Sequence, residues 1–586
     1  MRVVIGVCFC VLVLRLFAVQ VLSGGHYASI GAAEVTSTVQ VPAIRGGIYD
    51  RNGAVLSVSV PRSTVVADPF LIQHPRSEAD ALAPVLKLSA DALVGKLSEH
   101  SGYVVLARKV DDSTSAAITK LGLAGINLLP DSQRMDPAGQ LAAPVLGMAN
   151  ASGHGAAGLE YRYDTALAGK AGTMVVQRTP DDVTLPGGSV VRTPASPGSG
   201  IELTLDEPLQ YVTEQSLSTE ITASHAKSGI AVVMDSRTGD VLAMANLVAD
   251  PTTGKVGEAN QNMAVTKVYE PGSVFKLVTF SAALGAGIIN PQSTFSVPNS
   301  LNIDGWTFHD AENHPTEQLS ATQILAQSSN IGTIEIASGL GRDRLAAQVN
   351  ALGFGQPTGI NFPGESPGLV RANPATWSPS DMGSTPIGQD DAVTAQQVLD
   401  MVNTVATGGV FVPPRLVRAS VRPDGSVSSV RSARPHRVLS PSVSSTLTTM
   451  MEQVVQDGTA VSAGIPGYTV AGKTGTAQIP DPKHAGYIPG AYMATFAGFA
   501  PAEHPVLSAV VVLEQPTPIF GGLVAAPVFS QVMRFALHRY GVPTSPSAPA
   551  VSGTAQPIPL VTAPPAGGAG QAATIGATAG TATGTP

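Results

Sequence analysis

Gly467-Tyr468-Thr469-Val470-Ala471-Gly472-Lys473-Thr474-Gly475-Thr476 admits two readings, and they belong to two different folds. Its first eight residues match the phosphate-loop pattern G-x-x-x-x-G-K-[ST], with Ala231-Val232-Val233-Met234-Asp235 available as an acidic strand end. A phosphate loop needs a strand before it and a helix directly after the Lys-Thr pair, because the helix N-terminus holds the phosphate. Here Gly464-Ile465-Pro466 precedes it, and Gly475-Thr476-Ala477-Gln478-Ile479-Pro480-Asp481-Pro482 follows, which cannot open a helix. The context rejects the NTPase. Tyr468 to Ala471 reads instead as strand, running on into Lys473-Thr474-Gly475-Thr476. Gly472 and Gly475 then leave bare backbone along which a peptide could add to a sheet edge. Lys473 and Thr474 offer a cation and a hydroxyl to a carboxylate.

The surroundings support an antiparallel sheet. Asp206 to Leu217 predicts a helix with an acidic cap. Gly229–Met234 and Val241–Ala245 flank the turn Asp235-Ser236-Arg237-Thr238-Gly239-Asp240 and predict a hairpin. After a long helical middle come three apolar runs, Gly467–Ala477, Met493–Phe499 and Val506–Leu513, and Ala525–Tyr540 closes as a helix. This order predicts an α+β domain: an antiparallel five-stranded sheet with helices on its faces.

Two S-x-x-K patterns occur among 11 lysines. Ser224-His225-Ala226-Lys227 reads as a solvated loop before a strand. Ser273-Val274-Phe275-Lys276 follows Glu270-Pro271-Gly272 and opens a helix that is apolar almost all round, and such a helix is buried. Ser273 and Lys276 therefore share one face of a buried helix start. S-x-N also occurs twice. Ser300-Leu301-Asn302 lies in a turn-rich stretch, whereas Ser328-Ser329-Asn330 interrupts the helical pattern of Ala321–Ile336. His309-Asp310 with His314 lacks the spacing of a zinc motif and reads as a loop with solvated histidines, so no metal is expected.

The 586 residues allow about three to four domains. Only 13% are charged, about half the usual share, which excludes a charge-rich disordered protein and a long coiled coil. A net charge of -8 gives no reason to expect nucleic acid. The only cysteines, Cys8 and Cys10, sit in the N-terminal apolar run and form neither a disulfide framework nor a metal site. That run, Val3–Leu14 extended to Leu22 past Arg15 and Gln20, predicts a membrane anchor over residues 1–22; a cleaved signal peptide is the alternative. Positive charge at the start places the body outside. The run begins so near Met1 that some cytoplasmic tail is expected to be missing. Residues 23–200 read as short strands and amphipathic pieces, with Asn52-Gly53 a hairpin signal and Gly187–Gly200 a boundary. Residues 201–542 hold the sheet and motifs. Residues 543–586 have neither charge nor aromatic and read as a disordered tail.

The ordered set Ser273-x-x-Lys276, Ser328-x-Asn330, Lys473-Thr474-Gly475 resembles the penicillin-binding protein and serine β-lactamase superfamily. The anchor followed by Arg45-Gly46-x-Ile48-x-Asp50-Arg51-x-Gly53, together with Gly158-Leu159-Glu160, looks like the β-rich pedestal of the class B penicillin-binding proteins. Phe499-Ala500-Pro501 and Gly521-Gly522-x-x-Ala525-Ala526-Pro527-Val528-Phe529 resemble the division-type (septal) branch. Gly388-Gln389-Asp390 departs from the family's Gly-Gln-Gly, which bears on a local loop.

The resemblance implies the transpeptidase fold and acyl transfer from a D-Ala-D-Ala stem peptide to a neighbouring amine. Ser273 would be the nucleophile and Lys276 its base, its proton affinity lowered by burial and by Lys473. The N–H groups of Ser273 and Thr476 would form the oxyanion hole. Ser328 would shuttle the proton, Asn330 would bind the substrate amide, and Lys473, Thr474, Gly475 and Thr476 would line the carboxylate strand. No cofactor is implied. Expected partners are stem peptides, β-lactams, the membrane, a glycan-strand polymerase and other division proteins. A D,D-carboxypeptidase or a β-lactam sensor or hydrolase would share the acylation step; a noncatalytic scaffold is disfavoured because every position is filled.

Overall fold

The computed structural model describes residues 1–22, 25, 36–178, 184–371, 373–546 and 548. Helix α1 (Arg2–Phe17), continued by Ala18–Leu22, keeps its apolar side chains exposed, and Arg2–Gln20 is long and apolar enough to cross a membrane.

In the N-terminal part of the chain, Ile48–Tyr49 and Val55–Ala67 pair antiparallel across the Asn52-Gly53 turn. Asp50 closes that turn by accepting from the N–H groups of Asn52 and Ala54 at 2.7 and 2.8 Å. The turn residues at this point thus form the hairpin their chemistry predicts. Glu160 is buried between two guanidiniums, Arg45 at 2.5 Å and Arg134 at 2.6 Å, which ties the Arg45-Gly46 segment to the Gly158-Leu159-Glu160 segment. Gly200–Leu203 runs parallel to Ile48–Tyr49 and antiparallel to Val417–Val421. Residue 200, the expected boundary, therefore opens a strand shared by both sides, and Ile48 and Leu159 pack into the same hydrophobic cluster as the central sheet.

Asp206 caps α2 (Glu207–Ser224) by accepting from the N–H of Leu209, as its acidic start predicts. Next come β1 (Ser228–Asp235), β2 (Val241–Ala249) and the short β3 (Val256–Glu258). The helical middle includes α3 (Lys276–Gly285), α4 (Ala321–Gln327), α5 (Asn330–Leu340), α6 (Ala395–Ala406) and α7 (Pro441–Gln456). The chain closes with β4 (Ala471–Pro480), β5 (Tyr487–Ala500), β6 (Leu507–Glu514) and α8 (Gly521–Arg539). The sheet order is β3-β2-β1-β6-β5-β4, antiparallel throughout. The five expected strands form its body, and β3 adds a short sixth at one edge.

Helices cover both faces of the sheet. Phe496 of β5 stacks edge-on against Phe529 of α8, while Ser508 of β6 donates to Asn403 of α6 from the other side. Strands buried on both faces lose the in-out alternation, which is why they read as continuous apolar runs. Edge strand β4 abuts α7 and the turn that carries Ser273, so the site lies where the sheet edge meets the helical lobe.

Three expectations need correction. The strand at the lysine motif starts at Ala471, not Tyr468; Ile465 and Tyr468 form only an isolated bridge. Ser224 is not in a solvated loop: it is the last residue of α2, buried, and donates to the carbonyl of Glu220 at 2.6 Å. The tail does not begin at 543. Ser545 is buried; its N–H donates to the Gly467 carbonyl at 2.9 Å and its Oγ accepts from the Thr469 N–H at 3.1 Å. Residue 547 and residues 549–586 of the expected tail lie outside the described residues.

Candidate active site

Gly272–Phe275 is a single 3-10 turn that leads into α3, so Ser273 precedes the α-helix rather than opening it. Val274, Phe275, Leu277, Val278 and Phe280 are buried, which anchors the turn. The Ser273 side is half-buried, and Lys276 points inward with no exposed surface.

The Ser-Ser-Asn break separates α4 from α5. Ser328 takes a left-handed conformation, φ 62°, and Ser329 caps α5 by accepting from the Gly332 N–H at 3.0 Å. This brings the Ser328 side chain and the Asn330 amide to Lys276. Its Nζ donates to the Ser328 carbonyl at 2.5 Å and to Asn330 Oδ1 at 2.8 Å, and lies 3.4 Å from Ser328 Oγ. From the opposite wall, Lys473 Nζ reaches the same Ser328 Oγ at 2.8 Å, and Thr474 Oγ1 at 3.3 Å. Thr474 is held by Thr459, hydroxyl to hydroxyl, at 2.6 Å. One hydroxyl thus sits between two amines from distant segments.

Both lysines are fully buried, and burial disfavours their charged forms. Burial brings Lys276 down to about 7, with Asp310 pulling the other way. Lys473 falls well below the ordinary lysine value, through burial first and then through the charge on Lys276. The repulsion is mutual: a charge on either lysine makes the other harder to protonate, and for Lys473 it adds to the effect of burial.

The roles of Gly472 and Gly475 also change. A Cβ on Gly472 would lie 2.3 Å from the Phe496 ring, and one on Gly475 would lie 2.8 Å from the Pro271 carbonyl and 2.9 Å from Val274. The bare backbone is filled by the protein itself: at Gly475 it lets the Ser273 turn press against β4. That contact brings the Ser273 turn beside Thr476, which is half-buried on the edge strand. Gly521, at the start of α8, is pressed in the same way against the carbonyls of Thr495 and Gly475.

Lys473-Thr474 lies in mid-strand, and β4 continues to Pro480 with no helix after it, which removes the phosphate-loop reading structurally. Ser300–Ile303 forms a small hairpin with Trp306–His309, so Ser300 and Asn302 are strand residues. Among the described residues, no group of three or more metal-ligating side chains could hold a metal.

Sequence reasoning missed two supports. Glu270 is buried and bridges the loop departure to the far hairpin, accepting from the Asp390 N–H at 3.1 Å and the Tyr487 hydroxyl at 3.1 Å. Burial raises it to about 7, and Asp390 and Asp391 add to the rise. Asp390 takes the left-handed conformation, φ 64°, which a glycine would adopt without strain. Next to it, Gly388 accepts from the Gly272 N–H at 3.0 Å, and a Cβ there would strike the Gly272 carbonyl at 2.2 Å. The second support is Asp310. It is not part of a solvated loop: it receives the Ile331 N–H at 3.1 Å and the Ser329 hydroxyl at 2.7 Å. Its adjacency to His309 was visible in the sequence, but its contact with residues twenty positions away was not.

Residues 229–534 match the penicillin binding protein transpeptidase domain, and residues 40–203 match the penicillin-binding protein dimerisation domain. The chain is 35% identical to the penicillin-binding protein PbpB of Mycolicibacterium smegmatis, over 91% of this chain and 88% of that one. It is 30% identical to the peptidoglycan D,D-transpeptidase FtsI of Escherichia coli, over 90% of each. Among solved structures it resembles penicillin binding protein 3 of Mycobacterium tuberculosis complexed with ampicillin. That match has a TM-score of 0.69 and 32% identity, covering 87% of this chain and 98% of that one.

Proposed function

The chain belongs to the penicillin-binding protein family, in its class B, division-type branch, and from that premise we propose that it cross-links peptidoglycan stem peptides through an acyl-enzyme on Ser273. The observation that carries this reading is the Ser328 hydroxyl held between Lys276, three residues on from Ser273, and Lys473, whose strand packs against the Ser273 turn.

In the proposed reaction, Ser273 Oγ attacks the carbonyl of the penultimate D-Ala. Lys276, which burial brings down to about 7, takes the proton. The N–H groups of Ser273 and Thr476 receive the developing oxyanion. As the C–N bond breaks, the proton passes through Ser328 to the departing D-Ala amine. An acceptor amine then attacks the ester, and the same path runs in reverse. Asn330 orients the substrate amide. Lys473, Thr474 and Thr476 receive the terminal carboxylate along β4, with Gly475 keeping that strand close to the Ser273 turn. Because the empty site disfavours a charged Lys473, an arriving carboxylate restores its proton. A β-lactam enters by the same acylation and stays on Ser273.

Residues 1–22 would hold the enzyme in the membrane with the N-terminus in the cytoplasm, residues 23–200 would form the pedestal, and residues 201–542 would carry the chemistry outside. Glycan-strand polymerisation would come from a membrane-embedded partner of the division machinery. The test is covalent labelling of the full-length protein by a fluorescent penicillin. Ser273→Ala should abolish the label and Ser224→Ala should leave it. A label that survives the first and is lost in the second would overturn the assignment.

A further inference from the structure

The mechanism leaves His309-Asp310 and His314 unused, yet the Asp310 carboxylate is largely covered against the Ser328–Asn330 turn, its side chain 9% exposed. One oxygen receives the N–H groups of Asn330 and Ile331, the first two residues of α5. The other receives the Ser329 hydroxyl at 2.7 Å and meets His314 Nε2 at 3.1 Å. The Asn330 amide is oriented from the same segment. Its Nδ2 donates to the His309 carbonyl at 2.8 Å, which turns Oδ1 toward Lys276. A carboxylate at a helix N-terminus is favourable in itself. Here that terminus is also the turn that presents Ser328 and Asn330.

The second observation is electrostatic. Lys276 and Lys473 are two buried amines whose hydrogen bonds, among the described residues, go to carbonyl, amide and hydroxyl oxygens. Asp310 accepts directly from the Asn330 N–H and is the acid whose field acts on Lys276. The charged groups that face this set are Lys473 from β4, His314 beside Asp310, Glu335 on α5, and Glu317 acting on His314.

We infer that Asp310, backed by His314, is a positioning residue that locks the Ser328–Asn330 turn and serves as the electrostatic counterweight to the Lys276–Lys473 pair. The inference rests on the acyl-transfer reading of Ser273 and Lys276. Its consequences have definite signs. The Asp310 charge favours the protonated form of Lys276, so removing it makes the lysine easier to deprotonate. His314, held above its ordinary value chiefly by its bond to the Pro315 carbonyl and also by Asp310, offsets part of that charge in acid. Removing His314 therefore works in the opposite direction.

The experiment measures the acylation rate of full-length, detergent-solubilised protein with a fluorescent penicillin as a function of pH. In the wild type the rate should rise with pH as Lys276 loses its proton. Asp310→Asn, which keeps the shape and removes the charge, should move that rise to lower pH by about one unit. His314→Gln should move it to higher pH by less. A purely structural role would lower the plateau without moving either rise, and unmoved rises in both variants would overturn the inference. Movement in the same direction in both would overturn it too. Should Asp310→Asn fail to fold, the upward shift in His314→Gln decides alone. A wild type that takes no label removes the acyl-transfer reading, and this inference with it.

Discussion

Replacing Lys276 with arginine keeps the charge and removes the base. A lysine at its ordinary value near 10.5 is neutral in roughly one molecule in three thousand at pH 7, whereas at about 7 it is neutral in roughly half. That gain, worth roughly 5 kcal/mol at 1.36 kcal/mol per tenfold, comes from taking the side chain wholly out of water. A guanidinium in the same place stays protonated. It can still donate to the Ser328 carbonyl and to Asn330 Oδ1, so the local bonds can be kept while proton acceptance is lost. General-base catalysis contributes about 10²–10⁴-fold, and Lys276→Arg should slow acylation by at least about a hundredfold. The assay is the first-order rate of penicillin labelling under saturating drug. The sign also fixes the pH profile: the wild-type rate should fall as pH drops through about 7, because the base becomes protonated. An arginine variant within about threefold of wild type, with the same pH profile, would refute the assignment of Lys276 as base and leave it a structural partner.

Three further outcomes are expected. The penicilloyl adduct should survive for many minutes by mass spectrometry after free drug is removed, because the acids beside the motifs are already engaged, Glu270 with the Asp390 N–H and the Tyr487 hydroxyl and Asp310 with the Ile331 N–H and the Ser329 hydroxyl; rapid loss with hydrolysed drug accumulating would indicate a hydrolase. Glu160→Gln should lower stability by about 3 kcal/mol, read as a drop in melting temperature, since it strips the shared carboxylate from buried Arg45 and half-buried Arg134; an unchanged melting temperature would mean the N-terminal domain does not depend on that triad. Truncation after Tyr540 should cost about 1–2 kcal/mol by removing the bonds of Ser545 to Gly467 and Thr469, while truncation after Ala548 should cost nothing measurable; equal melting temperatures would show that the 543–546 segment does not anchor.

Some of this was written in local chemistry. The Asn52-Gly53 hairpin, the Asp206 cap, the Asp235–Asp240 turn and the break at Ser328-Ser329-Asn330 follow from residues a few positions apart, so periodicity and turn preference are enough to find them. The buried character of Lys276 was legible for the same reason: its flanks leave no polar face. Rejecting the phosphate loop needed only the residues on either side of it. What required the tertiary structure was everything set by long-range approach. Gly472 and Gly475 are glycines because Phe496 and the Pro271 carbonyl come within reach of them, and no spacing reveals that. The lowering of both lysines depends on their burial side by side, with Asp310 acting on Lys276 from a third segment. Ser545, in a stretch whose composition reads as disordered, is ordered by a loop some seventy-five residues upstream. Composition and period report what a segment can do with its neighbours in sequence; burial, charge coupling and close backbone contact are made by segments that only folding brings together.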